Sequence, residues 1–194
     1  MALGRVVILN GVSSAGKSTL ATAFRDERAR RGEFWMLLGI DDVLSKLTAE
    51  WYDVGLESGV GARAEEGLFF VRDGLTQRLG VGVLLRRLLV IYHDWVATAA
   101  MAGINVIVDE VVLDGPTYES WVRALDGLEV TWVAARCDPA IAAARESARG
   151  DRPLGMASAQ HDVVHRGIPY AFEIDTGTLT PSQAHDELRR GLGV

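Results

Sequence analysis

Short, almost continuously hydrophobic runs alternate along the chain with longer segments of helical periodicity. These runs occupy residues 5–10, 34–39, 105–109, 130–136 and 170–175. Parallel strands covered on both faces read as near-continuous apolar runs, because neither face of the sheet meets water. The alternation therefore predicts an α/β fold with a five-stranded, mainly parallel sheet and helices on both faces.

Helix-opening signals lie between these runs. Asp138 followed by Pro139 supplies an N-cap and a pre-set first residue for a helix at 140–148. The sequence Thr-Pro-Ser-Gln at 180–183 is a capping box that opens the last helix. Pro116 is expected to open a further helix. Each predicted helix lies between two predicted strands or after the last one, as parallel pairing requires.

Residues 49–80 break this alternation, with many glycines, several acids and scattered aromatic side chains. Asp73 and Gly74 separate two short runs and favour a hairpin turn, and a long helix is expected from about 81 to 101. We interpret 49–80 as an insertion that caps the sheet within a single domain, residues 1–194. The aromatic residues in and after this insertion could equally line an acceptor pocket or form a small core of their own. They are Trp51, Tyr52, Phe69, Phe70, Tyr92 and Trp95.

Residues 11–18, Gly-Val-Ser-Ser-Ala-Gly-Lys-Ser, match the phosphate-binding P-loop motif in full, between a predicted strand and a helical stretch at 19–30. Gly11 and Gly16 allow the backbone to wrap closely around phosphate, and the N–H groups at a helix N-terminus attract its charge. Lys17 is expected to reach the β- and γ-phosphates, and the Ser18 hydroxyl to bind Mg²⁺. The residues expected to contact the nucleotide are Gly11, Ser13, Ser14, Ala15, Gly16, Lys17, Ser18 and Thr19.

Missing motifs narrow the class of nucleotide-binding protein. A guanine-specific switch protein needs an Asp two residues after a lysine, and neither Lys17 nor Lys46 has one. The sequence also lacks the Leu-Ser-Gly-Gly-Gln stretch of transporter ATPases and the complete G-x-G-x-x-G of dinucleotide-binding proteins. ATP is therefore the expected nucleotide.

Acidic residues follow two of the predicted strands, at the carboxyl ends where ligands of open α/β sheets bind. A carboxylate from Asp41 or Asp42, after the second run, could accept a proton from a substrate hydroxyl and align it with the γ-phosphate. We expect Asp41 in this catalytic role, while one of the two acids could instead cap the following helix. Asp109 and Glu110 follow the apolar residues 106–108 of the third run. Asp109 is the expected Mg²⁺ ligand beside Ser18, with Glu110 as the alternative.

A cluster of arginines begins with the last residue of the fourth run and comprises Arg136, Arg145, Arg149 and Arg152. Arg145 and Arg149 are four residues apart and share one helix face. Guanidinium groups hold phosphate oxygens in a bidentate manner. We therefore expect a mobile lid at about 145–157, in which Arg145 binds the nucleotide and Arg149 and Arg152 act in catalysis. The alternative is a solvated helix face paired with neighbouring acids.

Composition and charge exclude several partners. The formal charge of -6 disfavours nucleic acid and anionic membranes, and the single cysteine, Cys137, cannot form an internal disulfide. The longest uncharged apolar stretch, 95–108, is too short to span a bilayer, and with no leader-like segment a cytoplasmic protein is expected. His161 and His165 could share a metal, but no third ligand is evident nearby, so a surface helix face is expected.

Several segments together resemble the chloramphenicol phosphotransferases. Among these segments the arginine-rich Arg-Glu-Ser-Ala-Arg-Gly-Asp-Arg at 145–152 is the most specific, because very many families share the P-loop. The resemblance spans nearly the whole chain except about 45–100. In order, the segments are 8–11, 13–18, 39–41, 106–109, 136–138, 145–152, 155–157, 163–165 and 173–176.

The resemblance implies a P-loop kinase fold and ATP-dependent phosphorylation of a hydroxyl on chloramphenicol, and thus a role in antibiotic resistance. It implies that Asp41 is poised on the acceptor hydroxyl and that Arg149 and Arg152 are lid residues near the phosphates. Segment 45–100, where specificity should reside, departs from the family pattern. Another hydroxylated metabolite or antibiotic is therefore the alternative acceptor.

Two further hypotheses remain open at the level of sequence. The chain could be a nucleoside or sugar kinase of similar architecture, or a regulatory module that binds ATP and hydrolyses it slowly. A kinase needs an acceptor base and a pocket, for which Asp41 and the aromatic residues are candidates. A regulatory switch needs neither.

Overall fold

The computed structural model describes residues 2–53, 61–73, 76–149 and 155–194. Its strands are β1 (Val6–Asn10), β2 (Trp35–Gly39), β3 (Tyr52–Asp53), β4 (Leu68–Asp73), β5 (Thr76–Val81), β6 (Asn105–Glu110), β7 (Val130–Arg136) and β8 (Phe172–Asp175). Its helices are α1 (Lys17–Arg30), α2 (Ile40–Leu44), α3 (Val83–Met101), α4 (Gly115–Ala124), α5 (Pro139–Arg149), α6 (Met156–His161) and α7 (Pro181–Leu192).

The main sheet has five parallel strands in the order β2-β6-β1-β7-β8. Successive side chains of a strand point to opposite faces, and β1 is buried on both. Val6 and Ile8 pack into a core that includes residues of α3 and α4, and Val7 and Leu9 pack into a second core with α1 and α7. The predicted α/β class, with helices on both faces of a parallel sheet, is confirmed.

A second, smaller sheet lies within the segment that breaks the alternation. β4 pairs antiparallel with β5, with Leu68 opposite Val81, and β3 pairs parallel with β4. The two strands of the predicted hairpin are therefore present, while residues 74–75 of its turn lie outside the described part of the chain. The long helix begins at Val83 instead of about 81, because Val81 is still paired in β5.

The last strand is shorter than the sequence suggests. It begins at Phe172 instead of residue 170. Tyr170, just before it, points its hydroxyl to β1, where it accepts a hydrogen bond of 2.6 Å from the Asn10 side-chain amide. α5 and α7 begin at Pro139 and Pro181, each the proline of its predicted helix-opening signal. Among the described residues, none of the helices combines the length and hydrophobicity that a membrane span requires.

Candidate active site

The loop between β1 and α1 has a backbone path that its glycines permit. Gly16 has a φ of 92° and Ser14 a φ of 61°, both in the left-handed region. A Cβ atom at Gly11 would lie 2.4 Å from the Ala135 carbonyl oxygen, so no larger residue fits there without a shift. The loop leads directly into the N-terminus of α1, whose 14 residues give it a full helix dipole. This arrangement attracts phosphate.

The basic and hydroxyl side chains of this loop meet the carboxyl end of β6. Lys17 Nζ donates a hydrogen bond of 2.9 Å to the Val12 carbonyl oxygen and lies 3.6 Å from Asp109 Oδ1. The Ser18 hydroxyl donates to Asp109 Oδ2 at 2.5 Å. This proximity follows from the sheet register, in which Leu9 of β1 lies beside Asp109 of β6. The sequence-predicted pair Ser18 and Asp109 is thus brought into direct contact.

The oxygens of this pair fit Mg²⁺, which prefers carboxylate and hydroxyl oxygens and keeps several water or phosphate ligands. Within the described residues, no group of three or more His, Cys, Asp or Glu is arranged to hold a metal ion. A cation held by Ser18 and Asp109 would therefore take its remaining oxygens from phosphate and water. That is the usual arrangement where Mg²⁺ is bound together with a nucleotide.

Asp41 and Asp42 differ in what their carboxylates can do. Asp42 accepts a hydrogen bond of 2.8 Å from the Gly39 backbone N–H and so caps the first turn of α2. Asp41, the residue before Asp42, is exposed to solvent. Gly39, the last residue of β2, is paired with Asp109, and a Cβ atom at Gly39 would lie 3.5 Å from the Cβ of Asp109. Asp41 therefore follows a strand end that borders the Lys17–Asp109 contact.

Glu110 is turned away from this contact, because neighbouring residues of a strand point to opposite faces. Its carboxyl is fully buried and accepts hydrogen bonds from the Val111 backbone N–H at 2.7 Å and from Trp121 Nε1 at 3.0 Å. Burial, opposed by these two hydrogen bonds, raises the pKa of Glu110 to about 8. Ser18 accordingly touches Asp109, while Glu110 lies in the core beneath α4.

Tyr92 of α3 places a hydroxyl close to the carboxylates at the ends of β2 and β6. The hydroxyl oxygen is buried and has no hydrogen-bond partner among the described residues. Burial, followed by the negative charges of four carboxylates, raises its pKa well above the usual value. The carboxylates that act on it are Glu110, Asp109, Asp42 and Asp41. The Tyr92 hydroxyl therefore lies near the acidic edge of the sheet. Tyr92 is one of the aromatic residues for which the sequence left open an acceptor pocket or a small core.

A cavity of about 450 Å³ lies on the other side of the phosphate-binding loop. Arg145 and Arg149 of α5 line it together with Gly16 of the loop. The Arg145 guanidinium donates to the Thr176 carbonyl oxygen at 2.9 Å, which fixes it across the cavity wall. The remaining lining is mostly small or apolar: Ser14, Ala15, Thr19, Leu20, Ala23, Ala148, Thr176, Leu179, Pro181 and Ala184. Arg152 lies outside the described residues.

The short helix α6 lies against the same loop and was not predicted to do so. The buried Gln160 side-chain oxygen accepts a hydrogen bond of 2.6 Å from the Ser13 backbone N–H. Glu146 of α5, also buried, accepts from the backbone N–H groups of Gly155 at 2.7 Å and Ala157 at 3.0 Å. α5, α6 and the loop are therefore joined by buried polar contacts. No sequence signal indicates the contact between Gln160 and Ser13, which are 147 residues apart.

His161 and His165 do not share a helix face. α6 ends at His161, which is exposed. His165 follows the helix and its Nδ1 lies 2.8 Å from the Tyr170 hydroxyl. Burial lowers the pKa of His165 to about 4. Both line a separate cavity of about 420 Å³ beside Cys137.

Comparison with known proteins agrees with this geometry. The family model described as chloramphenicol phosphotransferase-like protein matches residues 4–192. The chain belongs to this family. The resemblance inferred from the sequence is therefore confirmed. A relative from Mycobacterium tuberculosis H37Rv, named "Putative O-phosphotransferase Rv2636", is 32% identical over 186 residues, covering 92% of this chain and 77% of the relative.

Solved structures similar to this chloramphenicol phosphotransferase-like protein include several kinases. A sugar kinase from Janibacter sp. has a TM-score of 0.66 at 17% identity, covering 98% of this chain and 95% of that one. The APS kinase of Mycobacterium tuberculosis has a TM-score of 0.65 at 13% identity, with both chains fully covered. A gluconokinase from Sinorhizobium meliloti has a TM-score of 0.62 at 14% identity, covering 100% and 94%. At identities this low, the structural similarity establishes the fold alone. Membership of the family supports a phosphotransferase of the kinase type.

Proposed function

We propose that the chain transfers the γ-phosphoryl group of ATP to a hydroxyl of a small molecule, with Mg²⁺ as cofactor. The observation that carries this proposal is the contact of Asp109 with both Lys17 and Ser18, beside the strand end that leads to Asp41. Phosphate-binding groups and a carboxylate suited to an acceptor hydroxyl thus meet at one edge of the sheet. A protein that only bound nucleotide would not need the second carboxylate.

The nucleotide is placed across the phosphate-binding loop. The mostly apolar cavity bordered by Arg145 and Leu179 suits a purine base and its sugar. The phosphates then extend over residues 11–18 to Lys17. Arg149 lines the same cavity, and Arg152, three residues on, is proposed to join it over the transferring phosphoryl group.

In the proposed reaction the acceptor oxygen attacks the γ-phosphorus, and the bond from that phosphorus to the β–γ bridging oxygen breaks. The acceptor proton passes to Asp41, and the bridging oxygen leaves with ADP. Lys17 balances charge on the β- and γ-phosphates. Mg²⁺, held by Ser18 and Asp109, supplies further charge neutralisation when bound. Orientation contributes more than basicity, because an ordinary Asp is a weak base and the proton can leave late in a loose transition state.

The acceptor is proposed to lie between Asp41 and α3, with the small sheet β3–β5 as its cover. The Tyr92 hydroxyl is buried and has no partner among the described residues, and we propose that acceptor binding opens it to a polar atom of the acceptor. Family membership supports chloramphenicol as one acceptor to test, and the name of the mycobacterial relative supports transfer to an oxygen atom. The other acceptors to test are further hydroxylated antibiotics, sugars and nucleosides.

The test compares two neighbouring carboxylates. ADP release is measured with MgATP and each acceptor in turn, for the wild type, Asp41→Asn and Asp42→Asn. One acceptor should stimulate turnover, and Asp41→Asn should lower that stimulated kcat by about 10²- to 10⁴-fold, as expected for loss of a general base. Asp42→Asn is the matched control, since Asp42 caps α2; its kcat should change by only a few fold.

Two outcomes would overturn the proposal. Turnover that no acceptor stimulates and that survives Asp41→Asn would favour a slow ATPase acting as a regulatory module. Equal losses in the two variants would show that the α2 turn, and not the Asp41 carboxylate, is what the reaction needs. Nucleotide affinity, measured separately by titration, should be similar in all three proteins.

A further inference from the structure

The peptide unit between Val12 and Ser13 of the phosphate-binding loop is held at both of its polar groups. Its carbonyl oxygen accepts a hydrogen bond of 2.9 Å from Lys17 Nζ, and its N–H donates one of 2.6 Å to the Gln160 side-chain oxygen. In a trans peptide these two groups lie in one plane and point in opposite directions. Gln160 and Lys17 therefore lie on opposite sides of a single peptide unit, and rotation of that unit would break both bonds.

The orientation of this peptide unit helps to set the position of the Lys17 ammonium. The Lys17 side chain is buried, and its ammonium lies 3.6 Å from Asp109 Oδ1. The Val12 carbonyl oxygen accepts a hydrogen bond from the same ammonium, which offsets part of the cost of burying it. A rotation of the peptide would withdraw that oxygen, and the ammonium would then have to move to find another acceptor.

Gln160 reaches the loop from a helix, α6, that is anchored at both ends. Glu146 of α5 accepts from two backbone N–H groups at the start of α6. Just after α6, the Val164 N–H donates to the Gln160 carbonyl oxygen at 2.9 Å. The Val164 carbonyl oxygen in turn accepts from the side-chain amide of Asn10, the last residue of β1, at 2.7 Å. The buried Gln160 side chain therefore projects from a fixed point, so it restrains the loop instead of following it.

The residue after Ser13 has an unusual backbone conformation. Ser14 has a φ of 61°, in the left-handed region that residues other than glycine rarely adopt. Such a conformation costs free energy and persists only where the surrounding structure fixes it. The Gln160 contact restrains the chain just before Ser14, and just after it the Ala15 N–H donates to a carbonyl oxygen at 3.3 Å. Without the Gln160 oxygen we expect the loop to relax from its phosphate-binding path.

We infer that Gln160 is a positioning residue of the phosphate-binding loop. It acts through the Val12–Ser13 peptide, which it holds in the orientation that positions Lys17 for the phosphates of the nucleotide. The inference deepens the proposed function and rests on its assignment of Lys17 to the β- and γ-phosphates. In the opposite role, nucleotide binding would first have to break the Gln160 bond. Loss of the Gln160 oxygen weakens nucleotide binding in the first case and strengthens it in the second.

Nucleotide affinity tests this inference without any acceptor. The dissociation constant for MgADP is measured by calorimetric titration for the wild type, Gln160→Met and Gln160→Asn. Methionine has nearly the length of glutamine but lacks its acceptor oxygen, and the asparagine amide is one methylene too short to reach Ser13. Each substitution should raise the dissociation constant by about tenfold, since each leaves a buried N–H without its acceptor.

Asn105→Leu is the matched control. The Asn105 side-chain oxygen accepts from the Arg5 backbone N–H at 3.0 Å, so this change also removes a bond between a side-chain amide and a backbone N–H. Asn105 begins β6, whereas the contact between Lys17 and Asp109 lies near the other end of that strand. The control should lose stability in urea denaturation but bind MgADP as the wild type does.

A double-mutant cycle shows whether Gln160 acts through the lysine. Lys17→Met alone should weaken MgADP binding, and adding Gln160→Met to it should change the affinity little further. Losses that simply add would show that Gln160 does not act through Lys17, and they would overturn the inference. Unchanged or tighter binding in the single Gln160 variants would overturn it as well.

Failure of this inference is distinguishable from failure of the proposed function. If the wild type binds MgADP but no acceptor stimulates turnover, the transfer step is wrong and the affinities still decide the role of Gln160. A wild type that does not bind MgADP overturns both. If urea denaturation shows that Gln160→Met does not fold, Gln160→Asn carries the test with the same expected loss of affinity.

Discussion

Asp109 makes the contacts on which the chemistry of the sheet edge depends. One of its oxygens lies 3.6 Å from Lys17 Nζ, and the other accepts from Ser18. Lys17 is only 5% exposed, and polar partners offset the cost of burying such a side chain. Asp109 was predictable as a polar residue that ends an apolar strand. Asn10 also ends an apolar strand, β1, but the sequence analysis does not name it as a candidate. Its side chain accepts from the Val112 N–H and donates to the Tyr170 hydroxyl.

The hydroxyl of Tyr92 gives a prediction in which stability and function change in opposite directions. A buried polar group without a partner costs about 1–3 kcal/mol, and its replacement by an apolar group of the same shape removes this cost. Tyr92→Phe keeps the edge-to-face contact with Trp121. We therefore expect a free energy of unfolding raised by about 1 kcal/mol in urea denaturation. If the hydroxyl binds the acceptor, the KM for the acceptor rises while the KM for ATP stays the same.

Tyr170→Phe is the matched control for this change. The Tyr170 hydroxyl accepts from the Asn10 amide at 2.6 Å and lies 2.8 Å from His165 Nδ1. Its removal takes one partner from His165 and one from the Asn10 amide, which keeps only its bond to the Val164 carbonyl oxygen. The free energy of unfolding should fall by about 1–3 kcal/mol in this variant. A loss of stability in Tyr92→Phe as well would show that the Tyr92 hydroxyl has a partner in the folded protein.

At the scale of elements, α6 depends on α5 for its position. Both oxygens of the Glu146 carboxylate are used, one by the Gly155 N–H and the other by the Ala157 N–H. These N–H groups lie at the start of α6, where helices leave donors unsatisfied. Because Gln160 of the same helix accepts from the Ser13 N–H, the position of α6 affects the phosphate-binding loop.

Glu146→Gln should loosen α6 specifically. Glutamine has one acceptor oxygen where the carboxylate has two, so one of the two N–H groups must face an NH₂ group. The loss of this buried bond should cost about 1–3 kcal/mol. Hydrogen exchange at Gly155 and Ala157 should become faster, by about tenfold for each 1.4 kcal/mol of local opening. Glu119→Gln, at an exposed pair with Arg123, should leave exchange in α6 unchanged.

At the scale of the whole molecule, the sequence predicted the sheet because its strands are buried on both faces. β1 and the centre of β6 read as continuous apolar runs for this reason. The position of α6 was not predictable, since Gln160 and Ser13 are 147 residues apart and no local pattern links them. The direction of Glu110 could have been inferred from strand alternation, because its neighbour Asp109 had already been assigned to the ligand side.

His93 should make the stability of the whole protein depend on pH. This fully buried ring has its Nδ1 2.9 Å from the Ser120 hydroxyl and stacks on Trp121 at 3.9 Å between ring centroids. Burial, with the nearby charge of Arg123, lowers the pKa of His93 to about 3. In the unfolded chain the pKa is about 6.5. Between these two values the unfolded state holds a proton that the folded state excludes, so the His93 contribution to stability is lost as pH falls below about 6.5.

His93→Phe should therefore remove part of the acid sensitivity. The wild type should lose up to about 1.4 kcal/mol per pH unit from this residue between pH 6.5 and 4, and the variant should not. Urea denaturation at several pH values measures the difference between the two slopes. Contributions common to both proteins, such as that of Glu110, which has the opposite sign, cancel in this difference. Ser120→Ala keeps the imidazole and should keep the wild-type slope, while equal slopes in wild type and His93→Phe would show that His93 is protonated in the folded protein.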